Sequence, residues 1–528
     1  MRRTKIILVL TLAFVVALMA AVGVAFAKPT VKDEPKGKDS SALKDSAKLR
    51  KAVDPAGILV HERRFQRIAN ANEGTRASGT LGYDASADYV ANKLRRAGYR
   101  VEVQPFTFPY FEVVNQSFSQ TAPEQREFEP YDLAENTGDY AVMGYSGSGR
   151  VEDTQVVPTN DVQIPPPAEP GVTSGCEPSD FPAETEGKVA LIQRGTCPFA
   201  QKAQNAQDAG AVAALIFNEG QEERTDVVVG TLGEPGIEIP VVGISFDLGK
   251  QLFEADDAKV SLDIETLAEN RETSNVIAET KKGRADRAIV VGAHLDSVAE
   301  GPGINDNGSG SATILETALE MANLNIKPAN KVRFAFWGAE ESGLLGSEEY
   351  VSNLSDDQLD QIALNLNFDM LGSPNFVRFV YDGDGSDTPD AGPAGSAQIE
   401  RVFNRYFSAR GLETEPTAFD GRSDYGPFIE RGIPAGGLFT GAEGIKTERE
   451  ESIYGGAAGE AYDSCYHQAC DDITNLSVRA LNQMSDGVAH TTLTFTNDKT
   501  LFTGDTRSFK AQSSSKVYDE FKGPEARK

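Results

Sequence analysis

The sequence predicts an α/β protein: a mixed, mostly parallel sheet flanked by helices, interrupted by a β-rich insert. Two patterns carry that expectation. From Ser274 to Asn497, strand-like apolar runs alternate with helix-length stretches, as in a sheet built from strand–helix–strand units. From about Asn115 to Ala268 the character changes to short Val/Ile-rich runs separated by Pro and Gly. Alternation resumes near Thr273, so the middle stretch reads as an insertion. Length agrees, because 528 residues exceed one ordinary domain. With 40% hydrophobic residues, including 27 Phe and 15 Tyr, there is material for a sizeable core. A formal charge of −28 repels phosphate backbones and anionic lipid heads, which disfavours general nucleic-acid or membrane-surface binding.

The elements follow in order. Arg2, Arg3 and Lys5 precede an apolar run from Ile6 to Ala27 that ends Ala25-Phe26-Ala27, the small-x-small pattern of a signal-peptidase site. A retained membrane anchor is the competing reading. The cleavage pattern favours export, so residues 1–27 are expected to be removed and the mature chain secreted, with no membrane partner thereafter. Residues 28–51, rich in Lys, Asp, Ser and Pro, read as a flexible leader or pro-segment. Residues 52–114 open the main domain with a helix over 57–72. A second helix is expected to start at the cap Asp84 and close at Gly98, before a half-buried strand over 99–108. The insert, residues 115–268, holds strands over 156–162, 189–193, 211–217 and 237–244 and a helix over 200–209. Residues 269–497 carry strands over 288–291, 332–337, 362–368, 376–381 and 435–439, with helices over 309–322 and 397–409. Residues 498–528 lose periodicity and read as a loose extension. Four cysteines fall in two local pairs, Cys176 with Cys197 and Cys465 with Cys470. In an oxidising compartment these read as two small-loop disulfides; a structural zinc site is the weaker alternative, since neither spacing is C-x-x-C.

In an open α/β sheet, ligands bind beyond the carboxyl ends of the strands. The strand over 288–291 runs out into Gly292-Ala293-His294-Leu295-Asp296, that over 332–337 into Gly338-Ala339-Glu340-Glu341, and that over 362–368 into Asp369. The loop Gly303-Ile304-Asn305-Asp306-Asn307-Gly308-Ser309-Gly310 brings Asp306 to the same edge. His467, in Cys465-Tyr466-His467-Gln468-Ala469-Cys470, is a fifth candidate, held by a disulfide across its loop. Imidazoles with carboxylates suit a borderline divalent cation such as zinc, whereas calcium prefers oxygen alone. Five ligands exceed the three protein ligands usual for one catalytic zinc, so a two-metal site with a bridging carboxylate is the natural reading. Singly, each carboxylate could be only a helix cap or a solvated side chain. Of the other two imidazoles, His61 in His61-Glu62-Arg63-Arg64 reads as a surface helix residue and His490 as packed along the last helix.

These motifs, taken together with Gly343-Leu344-Leu345-Gly346-Ser347 and Asn367-Phe368-Asp369-Met370, resemble the M28 family of dinuclear zinc peptidases. The secreted bacterial leucine aminopeptidases and the vacuolar aminopeptidase Y group are the most similar branches. The insert, with Gly175-Cys176, Gly187-Lys188-Val189-Ala190-Leu191-Ile192 and Arg194-Gly195-Thr196-Cys197-Pro198-Phe199, resembles a protease-associated (PA) domain. The resemblance implies a zinc-peptidase fold of the phosphorylase/hydrolase type and two Zn2+ per chain. Asp306 would bridge the ions, with His294 and Asp369 on one and Glu341 and His467 on the other. It implies Glu340 as general base, Tyr466 as the hydroxyl that steadies the oxyanion, and Asp296 as the carboxylate that orients His294. Arg422, in Gly421-Arg422-Ser423-Asp424-Tyr425, resembles the loop that helps to hold the substrate's amino end; a surface arginine is the competing reading. Phe439, in Gly436-Gly437-Leu438-Phe439, either lines the side-chain pocket or packs in the core. The implied substrates are peptide or protein N-termini, large apolar residues such as Leu first, with no nucleic-acid partner and a monomer as the expected state. A glutamate-releasing carboxypeptidase, a one-zinc glutaminyl cyclase and a non-catalytic binding module are the alternatives.

Overall fold

At the centre of the sheet lies the strand Arg284–His294, whose Ala288, Ile289, Val290 and Val291 are wholly buried. An unbroken apolar run is what a strand covered on both faces by helices requires. A computed structural model describes residues 37–132 and 137–500 of the chain. In it, Arg284–His294 pairs in parallel with Asn330–Trp337 on one side and Ile362–Phe368 on the other. Ala435–Phe439 continues the parallel run beyond Ile362–Phe368, and Phe379–Tyr381 then joins antiparallel. The expected strand over 376–381 is shorter than its apolar run, because Phe376 and Val377 are buried without entering the ladder. The helices Gly310–Asn323 and Ser396–Ala409 pack on Arg284–His294 and Ala435–Phe439 respectively. The fold is therefore the mixed, mostly parallel, helix-flanked sheet that the alternation predicts.

The insert is joined differently from expectation. Strands Arg100–Ala122 and Lys259–Glu279 pair antiparallel from Arg100↔Glu279 to Ala122↔Lys259. Both run through the expected borders at 115 and 268, so two continuous strands serve in place of linkers. On one of them a register shift falls between Val113 and Asn115, beside the expected border. The strand expected over 99–108 is thus 23 residues long. Beyond the shift, Gly149–Pro158, Val189–Gln193, Ala213–Phe217 and Val241–Ile244 form a second parallel stretch, with helices Phe199–Asp208 and Phe246–Glu254. Cys176 bonds to Cys197, and Cys465 to Cys470, as the local pairing predicts.

Three readings of the N-terminal region are corrected. Residues 37–51 are not a flexible leader: Gly37–Ala52 is helical, and Ser46, Leu49 and Val53 recur at helical spacing as buried positions. The surrounding charges hid that stripe. The second helix starts after Thr80, not at Asp84. The Thr80 hydroxyl accepts the Tyr83 N–H and Asp84 lies in the first turn, where an acidic side chain is also favourable. Its end is as expected, with Gly98 at φ 93°. His61 is buried, not on the surface: its Nδ1 lies 2.6 Å from Tyr89 Oη and its Nε2 3.0 Å from Glu316. Helix Pro55–Ala71 turns that face towards Leu81–Ala97 and Gly310–Asn323, which its polar neighbours in sequence do not reveal. His490 packs as expected, stacked on Tyr406 at 4.7 Å with Ser46 Oγ 2.8 Å from its Nδ1. The expected signal segment and residues 501–528 of the expected extension lie outside the described residues.

Candidate active site

Two strands of the parallel run deliver a polar side chain directly to one edge. His294 is the last residue of Arg284–His294, and Asp369 directly follows Ile362–Phe368. After Asn330–Trp337 the chain turns sharply through Gly338 and Ala339, the latter at φ 52°. A Cβ on Gly338 would come within 2.6 Å of Tyr83 Oη, so only glycine lets the turn that carries Glu340 and Glu341 sit this close to its neighbours.

The five expected ligands meet. His294 Nε2 lies 3.2 Å from Asp306 Oδ1 and 3.3 Å from Asp369 Oδ1. His467 Nε2 lies 3.3 Å from Asp306 Oδ2 and 3.1 Å from Glu341 Oε2. Asp306 therefore presents one oxygen to each imidazole. Glu340 Oε2 stands slightly further back, 3.8 Å from His294 Nε2.

The charges show what this cluster lacks. Burial pushes Glu340 well above the usual carboxylate range, and Glu341, Asp424 and Asp369 add to the push against the opposing His294. Glu341 is raised as well, by burial and then by Asp306. Burial would also raise Asp306, but hydrogen bonds from both imidazoles hold it low. Burial alone would lower His467; Glu341 and Asp306 instead lift it to about 10. Four carboxylates around two imidazoles are short of positive charge. Asp369 Oδ1 is buried without a hydrogen bond while it faces His294 Nε2. Nitrogen and oxygen donors in this number and spacing fit borderline divalent cations.

The neighbouring side chains are placed as follows. His294 Nδ1 lies 3.2 Å from the backbone oxygen of Asp296 and 3.6 Å from its carboxylate Oδ1. That Oδ1 accepts the Glu340 N–H at 3.3 Å, so Asp296 touches both the imidazole and the glutamate turn. Tyr466 stacks on His467 at 3.8 Å between ring centres. Arg422 donates to Tyr466 Oη at 3.3 Å and to Glu443 at 2.7 Å, so its guanidinium is engaged and is not a solvated surface group. Phe439 is half-buried, stacks on Phe379, and lines the cavity with Leu344, Met370 and Tyr381. Phe439 thus both packs against a neighbouring ring and faces the cavity.

Two supports escaped the sequence reading. Ser423 Oγ donates to Asp369 Oδ2 at 2.6 Å, fixing the orientation of that carboxylate. Asn307 Oδ1 accepts the N–H groups of Gly310 and Met370, tying the Asp306 loop to the segment after Asp369. Ser423 stands next to Arg422, so adjacency to a recognised motif was its one signal.

Residues 275–492 match the family described as Peptidase family M28, and residues 162–252 match the PA domain. An aminopeptidase of Pseudomonas aeruginosa is 46% identical over 449 residues, which cover 84% of this chain and 81% of that one. A probable leucine aminopeptidase 2 of Aspergillus oryzae is 40% identical over 433 residues, 81% of either chain. Among solved structures, a zinc aminopeptidase from Bacillus subtilis matches with a TM-score of 0.55 at 26% identity, covering 84% of this chain and 96% of that one.

Proposed function

This chain belongs to peptidase family M28 and is a metallo-aminopeptidase with a PA domain, and on that premise we propose a secreted enzyme that uses two zinc ions to remove N-terminal residues, large apolar ones first. The observation that carries the two-ion reading is Asp306, whose oxygens face separate imidazoles 3.2 and 3.3 Å away. His294 and Asp369 would hold one ion, His467 and Glu341 the other, with Asp306 shared. Zinc is the ion of the Bacillus subtilis relative and suits the donor set. Bound there, a zinc pair would supply Lewis acidity, polarising the scissile carbonyl and making a water easier to deprotonate.

The remaining steps belong to the chain. Glu340 stands at the edge of the cluster within reach of an incoming water; it takes the water's proton and passes it to the leaving amine. Tyr466 donates its hydroxyl to the oxygen that gains charge as the carbonyl becomes tetrahedral, and Arg422 keeps that hydroxyl in place. The carboxylates Glu340 and Asp369 favour a free α-ammonium beside the scissile bond, which makes the enzyme an exopeptidase by charge. Leu344, Met370, Tyr381 and Phe439 offer an apolar wall for the first side chain, and a leucine-type preference is in keeping with the Aspergillus oryzae relative. Export rests on the N-terminal signal pattern and on two disulfides, which need an oxidising compartment. A carboxypeptidase would need a basic pocket for a terminal carboxylate. Among the described residues lining the cavity, Arg422 supplies the sole guanidinium, and it is committed to Tyr466 and Glu443.

The test joins elemental analysis of the purified mature chain to rates on aminoacyl-anilides and on an N-blocked dipeptide with a free C-terminus. Two zinc ions per chain, fastest turnover of the Leu-anilide and no cleavage of the blocked dipeptide are expected. A single ion, or cleavage of the blocked substrate, would sink this reading.

A further inference from the structure

The segment that carries His467 is tied at both ends to the loop that carries Asp306. At one end, three consecutive amides converge on Asp471: Ile304 N–H donates to its backbone oxygen (3.0 Å), Asn305 N–H to Oδ1 (2.8 Å) and Asp306 N–H to Oδ2 (2.9 Å). At the other end, Asp463 Oδ2 accepts Asn305 Nδ2 at 2.6 Å while its Oδ1 accepts the Cys465 N–H at 2.9 Å. Asn475 Nδ2 joins the two, lying 3.0 Å from Asp471 Oδ1 and 2.9 and 3.0 Å from the oxygens of Asp463. Asp463 and Asp471 are only 1% and 2% exposed. Two carboxylates withdrawn from water this close together are costly, and hydrogen-bond donors from the neighbouring loop offset the cost only while the two segments stay in register.

The two candidate ion positions differ in what holds them. His294 and Asp369 ride on the strands Arg284–His294 and Ile362–Phe368, locked by their parallel ladder. His467 rides on neither strand nor helix and has φ 57°. The Cys465–Cys470 disulfide closes the His467 loop upon itself across a separation of 5, whereas the two aspartates reach across to Asn305 and Asp306. We propose that Asp463 and Asp471 are positioning residues that set the span between Asp306 and His467, and with it the affinity for the ion that His467 and Glu341 hold. This inference rests on the two-zinc reading above. It also demotes the disulfide, which the sequence suggests as the clamp on His467, to a closure of secondary importance.

The test is a Co2+ titration of the metal-stripped, full-length chain, followed by visible absorption, with a thermal melt of the metal-free protein alongside. Wild type is expected to load two equivalents. In Asp471→Asn the carboxamide offers one acceptor where two amides need two; one loading step should weaken about 10- to 100-fold and the other less than about threefold, with the metal-free protein still folded and its melting temperature only modestly lowered. The double variant Cys465→Ser/Cys470→Ser should keep both steps within about threefold of wild type, the range expected when no group that orients a ligand is lost. Asp463→Asn gives the same reading if Asp471→Asn does not fold. Unchanged loading in both aspartate variants, equal weakening of both steps, or failure of both variants to fold would overturn the positioning role. A wild-type chain that loads one equivalent would instead overturn the two-zinc reading, and this inference with it.

Discussion

The peptidase part and the insert present the same architecture at their edges and opposite chemistry. In both, buried parallel strands end on polar residues: His294 and Asp369 in one, Gln193 and the Asn218-Glu219 pair in the other. In the insert every such group is answered from within the chain. Glu219 Oε1 accepts the N–H groups of Gly171 (2.7 Å) and Val172 (2.9 Å), and its Oε2 accepts from Arg224 (2.7 Å). Gln193 Oε1 accepts the Gln163 N–H, and its Nε2 donates to the carbonyls of Gln163 and Glu219. Burial works against a charged Glu219, yet these donors hold its carboxyl below the usual range. In the peptidase part the carboxylates face one another and two imidazoles, and Glu340 is driven upward. Polar residues at strand ends therefore do not mark a site by themselves. A site is marked where buried polarity is left for something other than the chain to answer.

The sharpest way to break this contrast is Glu340→Gln. The amide keeps the shape and abolishes the base, so kcat should fall by about 10^2- to 10^4-fold while bound zinc and the melting temperature stay near wild type. Near-normal kcat would remove Glu340 from the chemistry. The mirror experiment is Glu219→Ala in the insert. It leaves two backbone N–H groups and Arg224 without their acceptor, which should cost about 1–3 kcal/mol of stability without touching kcat. A melt together with steady-state kinetics separates the two effects, and a loss of kcat at unchanged stability would mean that the insert takes part in catalysis. A third experiment, whose effect appears only at acid pH, tests a satisfied imidazole within the peptidase part. Burial, then Arg50, hold His490 down to about 4, so the fold keeps it neutral while the unfolded chain protonates it near 6.5. Its contribution to stability is whole above pH 6.5, is lost as pH falls from there towards 4, and changes no further below. His490→Gln should flatten the stability profile across that window, and an unaltered slope would show that His490 is not held neutral.

Much of the site is legible because it obeys local rules. A strand buried on both faces must be a continuous apolar run, so the run through Val290 and Val291 points at His294, and the run ending at Phe368 points at Asp369. The glycines around Asp306 and before Glu340 announce turns for the same reason. The misreadings share a different cause. Asp84 and Thr80 both satisfy a capping rule, and only backbone geometry chooses between them. His61 sits among charges in the chain but between helices in space. Ser423 and Asp471 act on residues 54 and 165 positions away, beyond any periodicity.

By itself, then, the sequence determined which side chains reach the sheet edge, since burial and turn chemistry are set by near neighbours. Only the tertiary structure decided how they are aimed: one oxygen of Asp306 towards each imidazole, Asp296 against both His294 and the Glu340 turn, and the His467 loop bound to Asn305 and Asp306. The reason is directional. Apolar burial depends on area and can be read from composition along a strand, whereas a hydrogen bond depends on angles between groups that meet only after the chain has folded.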